Sequence, residues 1–163
     1  MQKRNRHSPP LSGHCTFISN APIIRTHIDS ICGIETDAFD PPWKRDDFSV
    51  ELERDDAHAV ILLLNERLIG YLFARIALDE VHLNKLCIRA EYRGRGYGRL
   101  LLHGFLDRMK GRYARLFLEV ERTNAPAVGL YAGTGFRINR IRKGVYASGA
   151  DALEMVLDAP QIP

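Results

Sequence analysis

A glycine-rich segment, Arg93-Gly94-Arg95-Gly96-Tyr97-Gly98, sets the strongest limit on how this 163-residue chain can fold. It lies between a β-rich run at residues 81–88 and an amphipathic helical pattern at 98–110. Its glycines have no Cβ atom, so the backbone can turn sharply and approach a ligand closely. The amides then converge at a helix N-terminus, where their partial positive charge favours a phosphate group. We expect a phosphate-binding loop; a glycine-rich turn with solvated arginines is the alternative.

The glycine spacing argues against two other phosphate-binding loops. A P-loop requires GxxxxGK[ST], and neither a lysine nor a hydroxyl residue follows Gly98. A dinucleotide fingerprint requires GxGxxG at the start of a βαβ unit, with an acidic residue about 20 positions later. Glu119 lies near that distance, but the spacing here is GxGxG and hairpin strands precede it.

Apolar periodicity and turn residues predict an α/β (α+β) chain. The predicted strands cover residues 23–24, 58–64, 68–78, 81–88, 114–121, 136–143 and 152–157. The predicted helices cover residues 27–39, 43–54, 98–110 and 125–132. Hairpin-linked strands favour antiparallel pairing, and the strand–helix–strand unit over 81–121 adds a parallel pair. We therefore expect one mixed, mostly antiparallel sheet with helices on both faces.

Composition predicts one globular domain, with 45% hydrophobic and 26% charged residues. Residues 1–20 are basic, polar and proline-containing, so we expect a flexible N-terminal extension before a domain at 21–163; a transit peptide is the alternative. The longest unbroken apolar stretch, residues 59–64, is too short to span a bilayer, and no secretion signal is evident. We expect no membrane partner.

The cysteines, the histidines and the net charge limit which compartment, metal and partners we expect for the protein. Three cysteines without CxxC spacing argue against a disulfide framework or a zinc site, and they favour the cytoplasm. No pair of histidines has metal-ligand spacing, so we expect no metal. The net charge of +3 is too small to require a nucleic-acid partner. The oligomeric state stays open.

The motifs resemble those of the GNAT acetyltransferases. Arg93-x-x-Gly96-x-Gly98 matches their Q/R-x-x-G-x-G/A loop, which binds the coenzyme A pyrophosphate. The order Leu118-Glu119-Val120, Asn124-Ala125, Leu130-Tyr131 and Gly135-Phe136 is similar to the ribosomal-protein alanine N-acetyltransferases (RimI-like). The ending at 142–155 and the segment from Ile34-Glu35 to Trp43 extend this likeness to residues 22–157.

This resemblance implies the GNAT acyl-CoA N-acyltransferase fold, with acetyl-CoA as co-substrate. It implies coenzyme contacts by Leu86, Cys87, Ile88, Arg93, Gly94, Arg95, Gly96, Tyr97, Gly98, Arg99 and Asn124. Asn124 is also a favoured N-cap for a helix that opens with Ala125-Pro126. Cys87 lies in an apolar strand without an evident base, so we expect direct transfer in a ternary complex.

Two residues are predicted to transfer protons. In the strand at 114–121, Leu116, Leu118 and Val120 form the apolar face, so Glu119 lies on the other face. The residues alone slightly favour a solvated glutamate over a base at this position. The resemblance makes Glu119 the general base, acting directly or through water. It makes Tyr131 the general acid for the leaving thiolate; a packed helix aromatic is the alternative.

The acceptor site is predicted from the resemblance alone, at Phe39, Pro42, Trp43 and Tyr146. Trp43 can equally be a core residue, and Val145 stands where the family often carries a second tyrosine. The implied reaction is acetylation of a protein N-terminal α-amine, with a ribosomal-protein alanine as first candidate. A small-molecule amine, a lysine side chain and a non-catalytic acyl-CoA-binding module are the alternatives.

Overall fold

The computed structural model describes residues 13–160, which form one seven-stranded sheet and five α-helices. The strands are β1 (Cys15–Ile18), β2 (Ala57–Leu64), β3 (Arg67–Ala77), β4 (Glu80–Ile88), β5 (Arg115–Glu121), β6 (Arg137–Arg142) and β7 (Ala152–Asp158). The helices are α1 (Ala21–Arg25), α2 (Ile28–Ala38), α3 (Arg45–Glu51), α4 (Tyr97–Met109) and α5 (Ala125–Thr134). Among these residues, no helix is both long and apolar enough to cross a membrane.

The strand order is β1-β2-β3-β4-β5-β7-β6, and the β4–β5 pair is parallel while the other pairs are antiparallel. This confirms the predicted mixed sheet. The turn between β2 and β3 was predicted at residues 65–67, and it is present. Asn65 and Glu66 have φ angles of 48° and 65° there, as in the tight turns whose twist matches that of antiparallel strands.

The N-terminal part differs from the sequence prediction. Cys15–Ile18 pairs with β2, so the sheet begins inside the predicted flexible extension, and the predicted domain start at residue 21 is too late. Ile23 and Ile24 belong to helix α1, so the predicted strand there is wrong. The Asn20 side chain accepts from the Ile23 amide at 3.2 Å, and this cap overrides the β-propensity of two isoleucines. Residues 1–12 of the predicted extension lie outside the described residues.

The sheet separates two apolar clusters. Helices α4 and α5 cover one face, with Leu101 and Phe105 among the buried residues. Helices α2 and α3 cover the other face, with Ile34 and Phe48 buried there. Strand β2 contributes to both clusters in alternation, which explains its unbroken apolar run. The later predicted elements, from residue 27 on, are all present with ends within three residues of the prediction.

Strands β4 and β5 separate partway along their length. They pair from Glu80–Arg115 to Leu83–Leu118, and the second half of β4 has no β5 partner. At the same point β4 carries a bulge, because Phe73 of β3 is opposite Lys85 and the next β3 residue is opposite Leu83. The extra residue is Asn84, and a bulge of this kind redirects the side chains that follow it.

A substitution at Gly70 tests how closely β3 approaches the end of β4. A Cβ atom at this position would lie 2.9 Å from the Cys87 carbonyl oxygen, which is part of the backbone. We expect Gly70→Ala to lower the free energy of unfolding by about 1–3 kcal/mol in urea titrations. Gly33→Ala is the control, because a Cβ there meets nothing within 4 Å and alanine favours helix. An unfolding midpoint for Gly70→Ala equal to that of the wild type would contradict this packing.

Candidate active site

The predicted phosphate loop borders a cavity of about 700 Å³, which we call the glycine-loop cavity. The end of β4 contributes Leu86, Cys87 and Ile88 to its wall. The loop contributes Arg93, Gly94, Gly96, Gly98 and Arg99, and the start of α5 contributes Asn124. The structure therefore brings together nine of the eleven residues that were predicted to contact the coenzyme.

The loop has the geometry of an anion site. Gly96 caps α4 with φ at 90°, and Gly94 has φ at 72°, a region that side chains other than glycine rarely adopt. Among residues 13–160 no side chain caps the helix, and its first turn contains no acidic residue. The first amides of α4 therefore keep their hydrogen-bonding capacity and their partial positive charge for a ligand.

Two loop side chains have roles that the sequence did not indicate. The Arg93 Nε donates to the Ile88 carbonyl at 2.8 Å, which joins the loop to the end of β4. Tyr97 is buried, and its ring meets that of Tyr92 edge to face. Neither Tyr97 nor Arg95 lines the glycine-loop cavity, so any ligand contact by Tyr97 has to come from its backbone.

Helix α5 forms the opposite wall of the glycine-loop cavity. The Asn124 Oδ1 accepts from the Ala127 amide at 3.2 Å, which confirms the predicted N-cap. The other wall residues were not predicted from the sequence, and they are small or apolar: Ala38, Pro126, Ala127, Gly129 and Leu130. The signal for Pro126, Ala127 and Gly129 was the run of small residues directly after the cap, which lets a ligand approach the helix closely.

A second cavity, of about 550 Å³, lies where the paired halves of β4 and β5 end, and we call it the acidic cavity. Trp43 and Glu119, both predicted site residues, line it. Two more carboxylates line it: Glu80, which accepts from Arg115 at 2.7 Å, and Glu154, which has no cationic partner within residues 13–160 and gives the cavity a negative charge that suits an amine. His82, which had no predicted role, stacks on Phe117 in its wall with ring centroids 5.5 Å apart.

Glu119 has the exposure and contacts that a proton acceptor needs. Its neighbours Leu118 and Val120 are buried in the cluster under α4 and α5, so Glu119 lies on the opposite face as predicted. The Arg142 Nη1 donates to Glu119 Oε2 at 2.6 Å. Within residues 13–160, Oε1 accepts no hydrogen bond, so one carboxylate oxygen is oriented and the other stays available. No three His, Cys, Asp or Glu side chains in this part of the chain could hold a metal ion.

Tyr131 is almost fully buried and lines neither cavity, although its sequence neighbour Leu130 lines the glycine-loop cavity. Burial raises the pKa of Tyr131 to about 12, and the neighbouring Cys87 and Tyr146 act in the same direction. Cys87 lines the glycine-loop cavity, whereas Tyr146 lies near Glu119. The Tyr131 hydroxyl is therefore a protonated donor that lies near one residue of each site, Cys87 and Tyr146. Its ring also packs edge to face on Phe136, so the packing role and the acid role are compatible.

The other predicted acceptor residues lie around the acidic cavity and do not line it. Burial raises the pKa of Tyr146, and the nearby Glu119 raises it further, so its hydroxyl stays protonated beside the carboxylate. Phe39 and Pro42 belong to the connection between α2 and α3. Trp43 is both a wall residue and a core residue, since its ring lies 5.3 Å from that of Phe48.

Cys87 is a poor candidate for covalent catalysis. Burial raises the pKa of the Cys87 thiol, and the adjacent Arg93 only partly opposes this rise. A protonated, buried thiol is a weak nucleophile. The geometry therefore favours direct attack of an amine on an acyl group.

A phosphate-binding loop next to separated strands, with an acidic cavity beyond them, defines an acyl-group transferase. Comparison with known proteins agrees, because residues 28–136 match the Acetyltransferase (GNAT) family. The chain belongs to the GNAT acetyltransferase family. This confirms the family, the fold and the enzyme class that the sequence motifs predicted.

Individual relatives are consistent with this assignment. A Bacillus subtilis protein, named provisionally as a [ribosomal protein bS18]-alanine N-acetyltransferase, is 37% identical over 131 residues, covering 78% of this chain and 87% of that protein. The N-alpha-acetyltransferase RimI of Mycobacterium tuberculosis is 34% identical over 125 residues, covering 74% and 78%. The crystal structure of the ribosomal-protein-S18-alanine N-acetyltransferase from Escherichia coli superposes with a TM-score of 0.81, at 28% identity over 92% of this chain and 97% of that one.

A substitution at Gly96 tests whether the first amides of α4 bind the coenzyme. We expect Gly96→Val to weaken coenzyme A binding by at least about tenfold in calorimetric titrations, because valine disfavours a φ of 90° and displaces the first amides of α4. Gly111→Val is the matched control: Gly111 also has a positive φ, 76°, but follows the other end of α4 with open space around it. Equal loss of affinity in both variants would indicate general destabilisation and contradict the local role.

Proposed function

We propose that this chain transfers the acetyl group of acetyl-CoA to the α-amine at the N-terminus of a protein. The observation that carries this proposal is the separation of β4 from β5, with an anion-binding loop on one side and the acidic cavity beyond the gap. Membership of the GNAT acetyltransferase family supports acetyl-CoA as the donor. The two cavities allow donor and acceptor to be bound together, which favours a ternary complex.

Coenzyme binding would use groups that the fold leaves unpaired. The pyrophosphate would lie against the first amides of α4, where the helix dipole favours negative charge. The extended pantetheine arm would lie along Leu86–Ile88, whose backbone has no β5 partner. This strand edge can pair with amide groups in the arm, as one strand pairs with another.

The reaction would proceed by direct attack. An α-amine has a pKa of about 7.7–8.0, so a fraction is already neutral near pH 7. The amine nitrogen forms a bond to the thioester carbonyl carbon while Glu119 accepts its proton. A backbone amide of β4 hydrogen-bonds to the carbonyl oxygen as charge develops on it. The carbon–sulfur bond then breaks, and Tyr131 donates a proton to the departing thiolate.

The choice of acceptor rests on chemistry and on the relatives. A lysine side chain, with a pKa of about 10.4, is almost entirely protonated near pH 7, and a single glutamate beside Arg142 gives it little help. Relatives at 33–37% identity are named N-acetyltransferases, five of them for the alanine of ribosomal protein bS18 and one as an N-alpha-acetyltransferase. A ribosomal protein with N-terminal alanine is therefore our first candidate, and the cytoplasm our proposed site of action.

Peptide acetylation tests the proposed function. Purified protein and labelled acetyl-CoA would be incubated with alanine-initiated peptides that contain one lysine, with the N-terminus free or blocked. We expect labelling of the free peptide at its α-amine and none of the blocked peptide. Equal labelling of both would identify a lysine acetyltransferase. Labelling of small amines alone would identify a small-molecule enzyme, and coenzyme binding without any transfer would identify a binding module.

Glu119→Gln tests the general base. We expect kcat to fall by about a hundredfold while the Kd for acetyl-CoA changes by less than about twofold, because the variant loses a proton acceptor and no phosphate contact. Glu154→Gln is the matched control, since Glu154 is opposite Glu119 on β7 and lines the same cavity. Equal loss of kcat in both variants would point to the cavity's charge and would contradict a specific base.

Tyr131→Phe tests the general acid. We expect kcat to fall by about tenfold to a hundredfold, with the unfolding midpoint nearly unchanged. Tyr113→Phe, another buried tyrosine, should keep the wild-type kcat. With a pKa of about 12, Tyr131 stays protonated through neutral and mildly alkaline conditions. It should therefore add no alkaline limb to the wild-type kcat profile below about pH 10. A limb in that range that disappears in Tyr131→Phe would contradict the raised pKa, and an unchanged kcat in Tyr131→Phe would contradict the general-acid assignment.

A further inference from the structure

Within residues 13–160, two glutamates are buried, and each pairs with a cation on the sheet face covered by α2 and α3. Glu51 pairs with Arg75 of β3, and neither residue lines a cavity named above. Glu35 pairs with Lys85 of β4, next to both cavities. A buried ion pair is seldom retained for stability alone, because desolvation offsets much of its attraction. The position of the second pair therefore calls for another explanation.

The Glu35 carboxylate is fully buried and joins helix α2 to three other parts of the chain. It accepts from the Lys85 ammonium at 2.6 Å and from the Trp43 backbone amide at 2.9 Å. It also accepts from the Tyr71 hydroxyl. Burial is the main cause that raises the pKa of Tyr71, so this hydroxyl stays a donor. Helix α2, the connection at 39–43 and the strands β3 and β4 are thus tied to one side chain.

Lys85 lies at the boundary between the two cavities because of the bulge in β4. Asn84 lines the acidic cavity and Leu86 lines the glycine-loop cavity. The bulge turns Lys85 onto the face of α2, where its side chain is only 13% exposed. Its ammonium lies 4.0 Å from the ring centroid of Phe39 and 5.0 Å from that of Trp43. These partly desolvated cation–π contacts hold both aromatic side chains against β4.

We propose that Lys85 is a positioning residue for the acceptor: its ammonium, held by Glu35, fixes residues 39–43 against β4 and thereby shapes the wall of the acidic cavity. Both ends of that connection reach a cavity, since Ala38 lines the glycine-loop cavity and Trp43 the acidic one. The kinetic part of this inference rests on the proposed function. The structural part does not.

Trp43 provides a measurement that needs no activity, because it is the single tryptophan of the chain. Acrylamide quenching of its fluorescence reports how accessible the 39–43 connection is. We expect Lys85→Met to raise the quenching constant by at least about twofold, as expected when a local contact opens. Arg75→Met is the matched control: it breaks the other buried pair and should leave quenching unchanged. Equal quenching of Lys85→Met and wild type, or equal increases in both variants, would overturn the proposal.

Kinetics with the alanine-initiated peptide then separate positioning from general stability. We expect Lys85→Met to raise the peptide KM by about tenfold, while the Kd for acetyl-CoA changes by less than about twofold. Lys85→Arg, which keeps a cation, should recover part of the loss. A parallel loss of coenzyme affinity, or an unchanged peptide KM, would overturn the kinetic part.

A double variant that removes both charges is the control for effects on folding. Lys85→Met leaves the Glu35 carboxylate buried and unpaired, which is strongly destabilising, whereas loss of both charges is often nearly neutral. Glu35→Gln/Lys85→Met should therefore unfold at a higher temperature than Lys85→Met and still show the raised quenching and peptide KM. A double variant with wild-type quenching would overturn the proposal. Failure of the wild type to acetylate any peptide would contradict the proposed function and leave the quenching result valid.

Discussion

The separation of β4 from β5 beyond Leu83 and Leu118 is the constraint on which the rest of the site depends. Parallel pairing holds the two strands together at one end, and at the other end β4 has no β5 partner, although Arg93 donates to the Ile88 carbonyl there. Buried backbone groups need partners, so such an edge inside a domain indicates a ligand. The glycine-loop cavity and the acidic cavity both border this gap, which lets two substrates meet there.

The architecture was largely predictable because its elements have strong local signals. The strict alternation in β5 placed Glu119 on the face opposite Leu118, and the structure agrees. The N-cap at Asn124 was equally local, since it depends on one side chain and the next few residues. The strand at Cys15–Ile18 had no such signal: four residues with little alternation are stabilised by pairing with β2, which is distant in sequence.

The candidate site was less predictable, because its shape depends on where strands separate. The motif predicted which residues form the loop, but it could not indicate that the Tyr97 ring would be buried in the core. Glu80 and His82 of β4 line the acidic cavity, and nothing in the sequence around them predicted this position. Lys85 is the clearest example. In a regular strand it would lie on the same face as Leu83, and only the bulge at Asn84 brings it to Glu35.

The bond from Arg93 to the Ile88 carbonyl has a consequence for how tightly a ligand can bind. Because both partners of this contact belong to the protein, the bond holds the loop close to β4 without needing a ligand atom. Much of the conformational entropy of the loop is therefore lost when the chain folds, and little remains to be lost on association. A preorganised loop of this kind favours rapid capture of a cellular metabolite without a slow rearrangement of the backbone.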